Sequence, residues 1–167
     1  MGTTRSGRYL NTRGSGRKVS DFAAVHSNEG AFTREQYKVN GKVHIRLRLR
    51  SGGHGQKGLD LLDKYHISYK IVKTYPNGVR VGYVPRHKSP LKQKGMGQSW
   101  FPKNWSQKDI RKAGEQVVGL KRNRHNPDGV AVYGNYKGVR VGVIKTHGKI
   151  ATVFPDSNQN AGKRRRK

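Results

Sequence analysis

Histidine is the residue type in this chain best suited to acid–base chemistry. The chain has no cysteine and only nine Asp and Glu residues, whereas imidazole ionises near neutral pH. Internal transesterification of RNA needs a base for the 2′-hydroxyl, an acid for the departing 5′-oxygen, and a cation or hydrogen-bond donor near the phosphate. That reaction requires no metal in principle, and we predict no cofactor. The seven histidines are His26, His44, His54, His66, His87, His125 and His147.

His54 and His87 have the surroundings that a phosphate site needs. His54 lies in a glycine-rich turn, and His87 lies between Arg86 and Lys88 in a basic loop. Glycine lets backbone N–H groups approach a phosphate, and neighbouring cations favour an anionic substrate. We therefore treat both as catalytic candidates. Structural or surface roles are favoured for the other five, including His26, which falls in an N-terminal segment predicted to be irregular.

The net charge of +27 is the dominant property of the composition. Thirty-six Lys and Arg oppose nine Asp and Glu, which favours a polyanionic partner, nucleic acid above all. Residues 43–49 alternate between apolar and basic side chains, which predicts a strand whose outer face carries Arg46 and Arg48. We expect these two, with Arg86 and Lys92 of the basic loop, to bind the RNA backbone.

The composition also excludes several kinds of site. Without cysteine there is no disulfide framework and no thiolate zinc site. No apolar run approaches the length of a membrane span, and the first ten residues lack the apolar region of a signal peptide, so we expect no membrane anchor. Scattered carboxylates disfavour a two-metal nuclease centre, and the closest pair, Asp60 and Asp63, fits a solvated helix face.

The pattern along the chain predicts short strands and two helices. One helix is predicted near 59–65 from the spacing of its apolar residues. The other begins at Ser106, an N-cap with Asp109 three residues on. Trp100, Phe101 and Trp105 precede it, and we favour a structural joint between lobes over a base-stacking platform for them. The predicted strands are 43–49, 67–74, 79–84, 130–133, 139–144 and 150–154.

An internal repeat suggests the architecture. The pentapeptide GVRVG occurs at 78–82 and again at 138–142, each time after a hairpin turn and downstream of a helix. We predict an α+β fold of two similar small lobes, each a helix packed on a short antiparallel sheet, with a cleft between them. The expected divisions are a basic irregular arm (1–40), lobes over about 41–98 and 99–158, and a basic disordered tail (159–167).

Two segments resemble bacterial EndoU-type nuclease domains. Residues 99–106 (SWFPKNWS), followed by an amphipathic helix, are similar to the family's FFPxxWS segment. Residues 138–155 resemble its closing hairpin, which commonly reads GxIxTxYP. The resemblance implies two similar α+β lobes and a C-terminal toxin domain of a polymorphic bacterial toxin, neutralised by a cognate immunity protein. The wider family includes uridylate-specific endoribonucleases of coronaviruses and animals.

The resemblance also implies a catalytic set of two histidines, a Lys, Ser or Thr, and a tyrosine. Thr152 matches the threonine of the closing hairpin, whereas Phe154 stands where the family has the tyrosine, which puts uridine preference in doubt. The family's histidine motif is matched only loosely by His66 and His87. We favour His54 with His87 as the pair and Lys88 as a phosphate-stabilising residue, with His66 in reserve.

These observations predict an antibacterial endoribonuclease toxin that leaves a 2′,3′-cyclic phosphate. We expect RNA as substrate, an acidic immunity protein as partner, and a monomer that is delivered as part of a larger toxin and acts in the target-cell cytoplasm. Two alternatives stay open. A metal-dependent DNase would use histidines as ligands and be sensitive to EDTA. A non-enzymatic, basic RNA-binding protein would tolerate replacement of His54 and His87.

Overall fold

The computed structural model describes residues 16–161, which form a mixed α+β fold as the sequence predicts. The helices are α1 (Asp21–Glu29), α2 (Gln56–Lys64) and α3 (Gln107–Gly119), with short 3₁₀ turns at Pro90–Lys92 and Lys121–Asn123. The strands are β1 (Ala31–Val39), β2 (Lys42–Ser51), β3 (Lys70–Thr74), β4 (Arg80–Tyr83), β5 (Gln98–Trp100), β6 (Val132–Tyr136), β7 (Val139–Thr146) and β8 (Lys149–Pro155).

The strands form one hairpin and two three-stranded sheets, all antiparallel. β1 pairs with β2, β4 lies between β3 and β5, and β7 lies between β6 and β8. The two GVRVG segments therefore occupy equivalent places, since each enters the central strand of a three-stranded sheet. The cleft between two lobes stays a prediction.

Helix α3 packs on the C-terminal sheet as predicted. Ser106 accepts a hydrogen bond from the Asp109 backbone N–H (3.2 Å), and Asp109 accepts one from the Ser106 N–H (2.9 Å), which completes a capping box. The apolar stripe of α3, including Ile110 and Val117, is buried in the larger core cluster with residues of β7 and β8. A smaller cluster contains Leu59 and Leu62 of α2 with Leu49, Ile67, Val84 and Trp100.

The aromatic segment before α3 joins these two clusters. Trp100 belongs to the smaller cluster and Phe101 to the larger one, and both side chains are fully buried. Trp105 stacks on Phe101 with ring centroids 4.8 Å apart. The structural interpretation of these aromatics is confirmed, because buried rings cannot also serve as a base-stacking surface.

The prediction of an irregular segment over residues 1–40 is wrong for 21–39. Ser20 caps α1 by accepting a hydrogen bond from Ala23 N–H (3.1 Å), and β1 then pairs with β2 along its whole length. The sequence signal was present in Ser20-Asp21, an N-cap followed by an acidic first turn. Residues 1–15 and the basic run 162–167 lie outside the described part of the chain. Within the described part, no helix is long and apolar enough to cross a membrane.

Candidate active site

His54 is fixed by backbone contacts on three sides. Its N–H donates to the Ser27 carbonyl (2.6 Å), and its carbonyl accepts from the Phe101 N–H (2.7 Å). Its Nδ1 lies 2.8 Å from the Ser99 carbonyl oxygen. Because a carbonyl can only accept, Nδ1 carries the proton in this contact. In the neutral form of the ring, Nε2 is therefore the basic nitrogen.

The environment of His54 keeps it unprotonated. Burial lowers the pKa of His54 well below 6.5, the positive charge of Lys92 lowers it further, and the hydrogen bond to Ser99 opposes these effects. Only 3% of the residue is exposed. A neutral imidazole with a free Nε2 is the form that a general base requires.

His54 lines a pocket of about 330 Å³. Thr152 and Phe154 of β8 and Lys92 of the 3₁₀ turn line the same pocket, so four residues predicted as site residues come together here. The remaining lining residues are Ser51, Gly52, Gly97, Ser99, Tyr133, Ile144, Pro155, Asp156 and Ser157. Burial lowers the pKa of Lys92, and its positive charge is the one that most lowers the pKa of His54.

Phe154 and Tyr133 form an aromatic pair in this pocket. The Phe154 ring lies 6.0 Å from the His54 ring and 6.0 Å from the Tyr133 ring, which it meets edge to face. Arg140 lies 4.5 Å over Tyr133 and donates to Asp156 (2.7 Å). Gly142 is beneath the pair, because a Cβ there would lie 2.5 Å from Phe154 and 2.8 Å from Tyr133. A tyrosine, Tyr133, therefore lines the pocket although position 154 is phenylalanine.

His26 is a candidate site residue that sequence reasoning did not favour. It lies on α1, and its carbonyl accepts hydrogen bonds from Gly30 N–H (2.9 Å) and Gly53 N–H (3.0 Å), which tie α1 to the turn that carries His54. Its Nε2 is 3.4 Å from the Ser51 hydroxyl. Burial lowers the pKa of His26, as do the charges of Arg50 and Lys92.

A second pocket, of about 340 Å³, adjoins the first. Its lining includes His26, Phe22 and Arg50, and it shares Ser51 and Thr152 with the His54 pocket. The two histidines therefore line two pockets that have Ser51 and Thr152 in common. The other lining residues are Ser20, Ala23, Ala31, Thr146, His147, Lys149, Ile150 and Ala151.

The comparison with known families decides the identity of the fold. The model of the bacterial EndoU nuclease family matches residues 24–157, about four-fifths of the chain. The chain belongs to the bacterial EndoU nuclease family. No curated protein and no solved structure gives a significant match. The family match begins before residue 41, where sequence reasoning started the nuclease domain, and it includes His26.

His87, the second histidine favoured from the sequence, lies in this EndoU domain outside the lining of both pockets. Its Nδ1 accepts from the Ser89 N–H (2.8 Å), its carbonyl accepts from Gln93 (2.7 Å), and only 2% of the residue is exposed. Its Nε2 is buried without a hydrogen-bond partner. Burial, then the charge of Lys92, lowers the pKa of His87 to about 4. These contacts fix the conformation of the loop that carries Lys92.

The remaining predicted residues of the EndoU domain lie away from the pockets. Lys88 is exposed and lines neither pocket, and the reserve candidate His66 is an exposed turn residue whose carbonyl accepts from Arg86 (2.9 Å). Arg46 and Arg48 both contact Glu35 (2.6 and 3.0 Å), and Arg46 also lies 4.3 Å over the Tyr37 ring. Among residues 16–161, no three His, Asp or Glu side chains gather as a metal site.

Proposed function

We propose that this EndoU nuclease domain is an endoribonuclease that cleaves RNA through attack by the 2′-hydroxyl. The observation that carries the proposal is that His26 and His54 line two pockets that share Ser51 and Thr152, with Lys92 lining the pocket of His54. Two imidazoles and a cation that line pockets with common walls can supply the base, the acid and the charge stabilisation that transesterification needs.

His54 is the proposed general base. Its free Nε2 takes the proton of the 2′-hydroxyl as the 2′-oxygen forms a bond to phosphorus. His26, in its protonated form, gives a proton to the 5′-oxygen as the bond between that oxygen and phosphorus breaks. The products are a 2′,3′-cyclic phosphate and a free 5′-hydroxyl. Lys92 and the Thr152 hydroxyl stabilise the charged phosphorane between these steps.

The assignment of acid and base follows the environments of the two rings. His54 is more deeply buried and its pKa is lowered well below the usual value, so it stays in the basic form. His26 is only half-buried. Burial is again the main cause that lowers its pKa, but the pKa is lowered less than that of His54. The ring that is easier to protonate suits the acid role.

The reaction needs no metal in this proposal, and one substrate pair tests it. Wild-type protein in EDTA is incubated with an RNA oligonucleotide and with the same oligonucleotide carrying one 2′-deoxyribose at the cleaved position. We expect cleavage of the first alone, with a cyclic phosphate end detected by mass spectrometry. Equal cleavage of both in EDTA would refute attack by the 2′-hydroxyl. Cleavage of DNA that EDTA abolishes would instead establish the metal-dependent DNase.

Single histidine variants separate the two possible pairs. We expect His26→Ala and His54→Ala each to lower kcat by roughly 10²- to 10⁴-fold. His125→Ala is the matched control, because His125 is exposed and lines neither pocket. Full activity of the His26 variant together with loss in His87→Ala would restore the pair favoured from the sequence.

The biological setting that we propose is bacterial competition. The domain is the toxic part of a larger delivered protein, enters the cytoplasm of the target cell as a monomer, and is inhibited there by an acidic immunity protein. A net charge of +27 supports this partner, because opposite charge accelerates association with an inhibitor. Expression should arrest growth unless a neighbouring gene that encodes an acidic immunity protein is co-expressed. Harmless expression without that gene would count against the toxin role.

A further inference from the structure

Phe22 is an exposed aromatic residue beside the proposed acid. Its side chain lies on α1 four residues before His26, so both project from the same face of the helix. The two rings are nearly parallel, with centroids 6.4 Å apart and an interplanar angle of 16°. Yet Phe22 is 75% exposed, whereas Ala23 and Ala24 next to it are fully buried in the core.

The pocket beside Phe22 has the composition of a nucleotide subsite. Its volume of about 340 Å³ is within the range of small-molecule sites. Phe22, Ala31 and Ile150 give it apolar surface, while Arg50 brings a positive charge from the basic face of β2. An apolar wall with a cation at its edge suits a nucleobase attached to a phosphodiester.

We propose that Phe22 is the stacking platform for the nucleobase on the 3′ side of the cleaved phosphate. This inference rests on the proposed function. The nucleoside in question is the one that leaves with its 5′-oxygen, and that oxygen receives its proton from His26. Because Phe22 and His26 share one helix face and one pocket, the base that follows the protonated oxygen falls next to the Phe22 ring.

The nucleoside on the 5′ side of the cleaved phosphate binds in the other pocket, which contains His54. The nucleoside that supplies the 2′-hydroxyl must place that hydroxyl at His54, whose pocket contains Phe154 and Tyr133. Each of the two pockets thus holds one proposed proton-transfer residue and its own aromatic surface. Stacking on Phe22 tolerates any base, because every base presents a π face.

Two substrates test the contribution of the nucleoside that leaves on cleavage. One is a dinucleoside monophosphate. The other keeps the 5′ nucleoside and its 3′-phosphate but carries a methyl ester, so that cleavage releases methanol in place of the second nucleoside. Both undergo the same attack and both require the acid, but only the first has a base to stack. We expect Phe22→Ala to lower kcat/KM about tenfold on the dinucleotide and less than twofold on the methyl ester.

Further variants separate stacking from hydrophobicity and from folding. Phe22→Leu should behave like Phe22→Ala, whereas Phe22→Trp should retain wild-type activity on the dinucleotide. Val72→Ala is the control, because Val72 is also an exposed apolar residue (51%) and lines neither pocket. Thermal unfolding of each variant, compared with wild type, checks that the fold is kept.

The possible outcomes distinguish the role of Phe22 from the endoribonuclease activity on which that role rests. Equal losses on both substrates would mean that Phe22 acts only by orienting His26, and would overturn the platform. Wild-type activity of Phe22→Ala on the dinucleotide would also overturn it, while cleavage by the wild-type protein left the proposed function intact. Failure of the wild-type protein to cleave any RNA would refute the proposed function, and the platform with it.

Discussion

Substitution of Gly52 by alanine should inactivate the enzyme by displacing His26. Gly52 has a φ of +69°, and a Cβ at this position would lie 2.3 Å from the His26 carbonyl oxygen and 2.9 Å from His26 Nε2. Ordinary contact begins near 3.4 Å, so the carbonyl must move by about 1 Å. That movement disturbs the hydrogen bonds from Gly30 and Gly53 that fix the end of α1.

The expected effects on stability and activity differ in size. Forcing an alanine into the left-handed region costs about 1–2 kcal/mol of folding stability. A misplacement of about 1 Å at a reacting group costs on the order of 100-fold in rate. Gly138→Ala is the matched control, because Gly138 has a φ of +77° and a Cβ added there would meet no atom within 4 Å.

The assay compares unfolding free energies from urea titration with kcat on a short RNA substrate. We expect both variants to lose stability from the backbone conformation, and the Gly52 variant to lose more because its clash disturbs the hydrogen bonds to the His26 carbonyl. Only the Gly52 variant should also lose about 100-fold in kcat. Wild-type kcat in a folded Gly52→Ala protein would refute the reasoning, because it would show that catalysis does not depend on the position of His26.

Three further predictions concern titration, charge and capping. As the pH falls from 6.5 to about 4, the unfolded chain takes up a proton at His87 that the folded protein does not, so stability should fall across that window. His87→Gln should weaken this dependence in urea titrations at several pH values; the lowered pKa values of His26 and His54 leave a remainder of the same sign. Unchanged pH dependence in that variant would show that His87 is not the group responsible. Arg46→Ala and Arg48→Ala should each weaken RNA binding and reduce the slope of log affinity against log salt by about one, measured by fluorescence anisotropy; an unaltered slope would remove these residues from the RNA-binding face. Ser106→Ala should cost about 1 kcal/mol of stability through loss of the capping box, with wild-type kcat at 25 °C; a stability equal to wild type would contradict the role of the cap.

Elements with strong local signals were predictable from the sequence. Helix α3 follows from Ser106, Asp109 and an apolar stripe, and all of these features form as expected. The alternating strand at 43–49 also forms, as part of β2. Its apolar face is only partly buried, however: Leu49 is 1% exposed, whereas Val43 and Ile45 are more than half exposed. The period-two pattern predicts the strand, but the extent of packing depends on how far the hairpin projects from the core.

That His26 and His54 line pockets with shared residues was not predictable without β1. Residues 31–39 show little alternation, so their pattern predicts an irregular segment and separates His26 from the domain. Once β1 pairs with β2, Ala31 lies opposite Ser51, and the chain on either side of the hairpin is brought together. His26 and His54 are 28 residues apart in the sequence. In the fold, the Gly53 N–H donates to the His26 carbonyl, which brings the backbone at His26 next to the residue that precedes His54.

Composition and motifs indicated which residue types are available for chemistry and to which family the chain belongs. The chain is rich in Lys and Arg, has no cysteine and is poor in carboxylates. Histidine is therefore the residue type available for acid–base chemistry, and Lys and Arg favour an anionic substrate. The motifs at 99–106 and 138–155 indicated the EndoU type, which the family match establishes. Which histidines line adjoining pockets was settled by the three-dimensional fold. Proximity of imidazoles is set by strand pairing and by backbone hydrogen bonds between distant segments, and neither residue type nor spacing encodes those contacts locally.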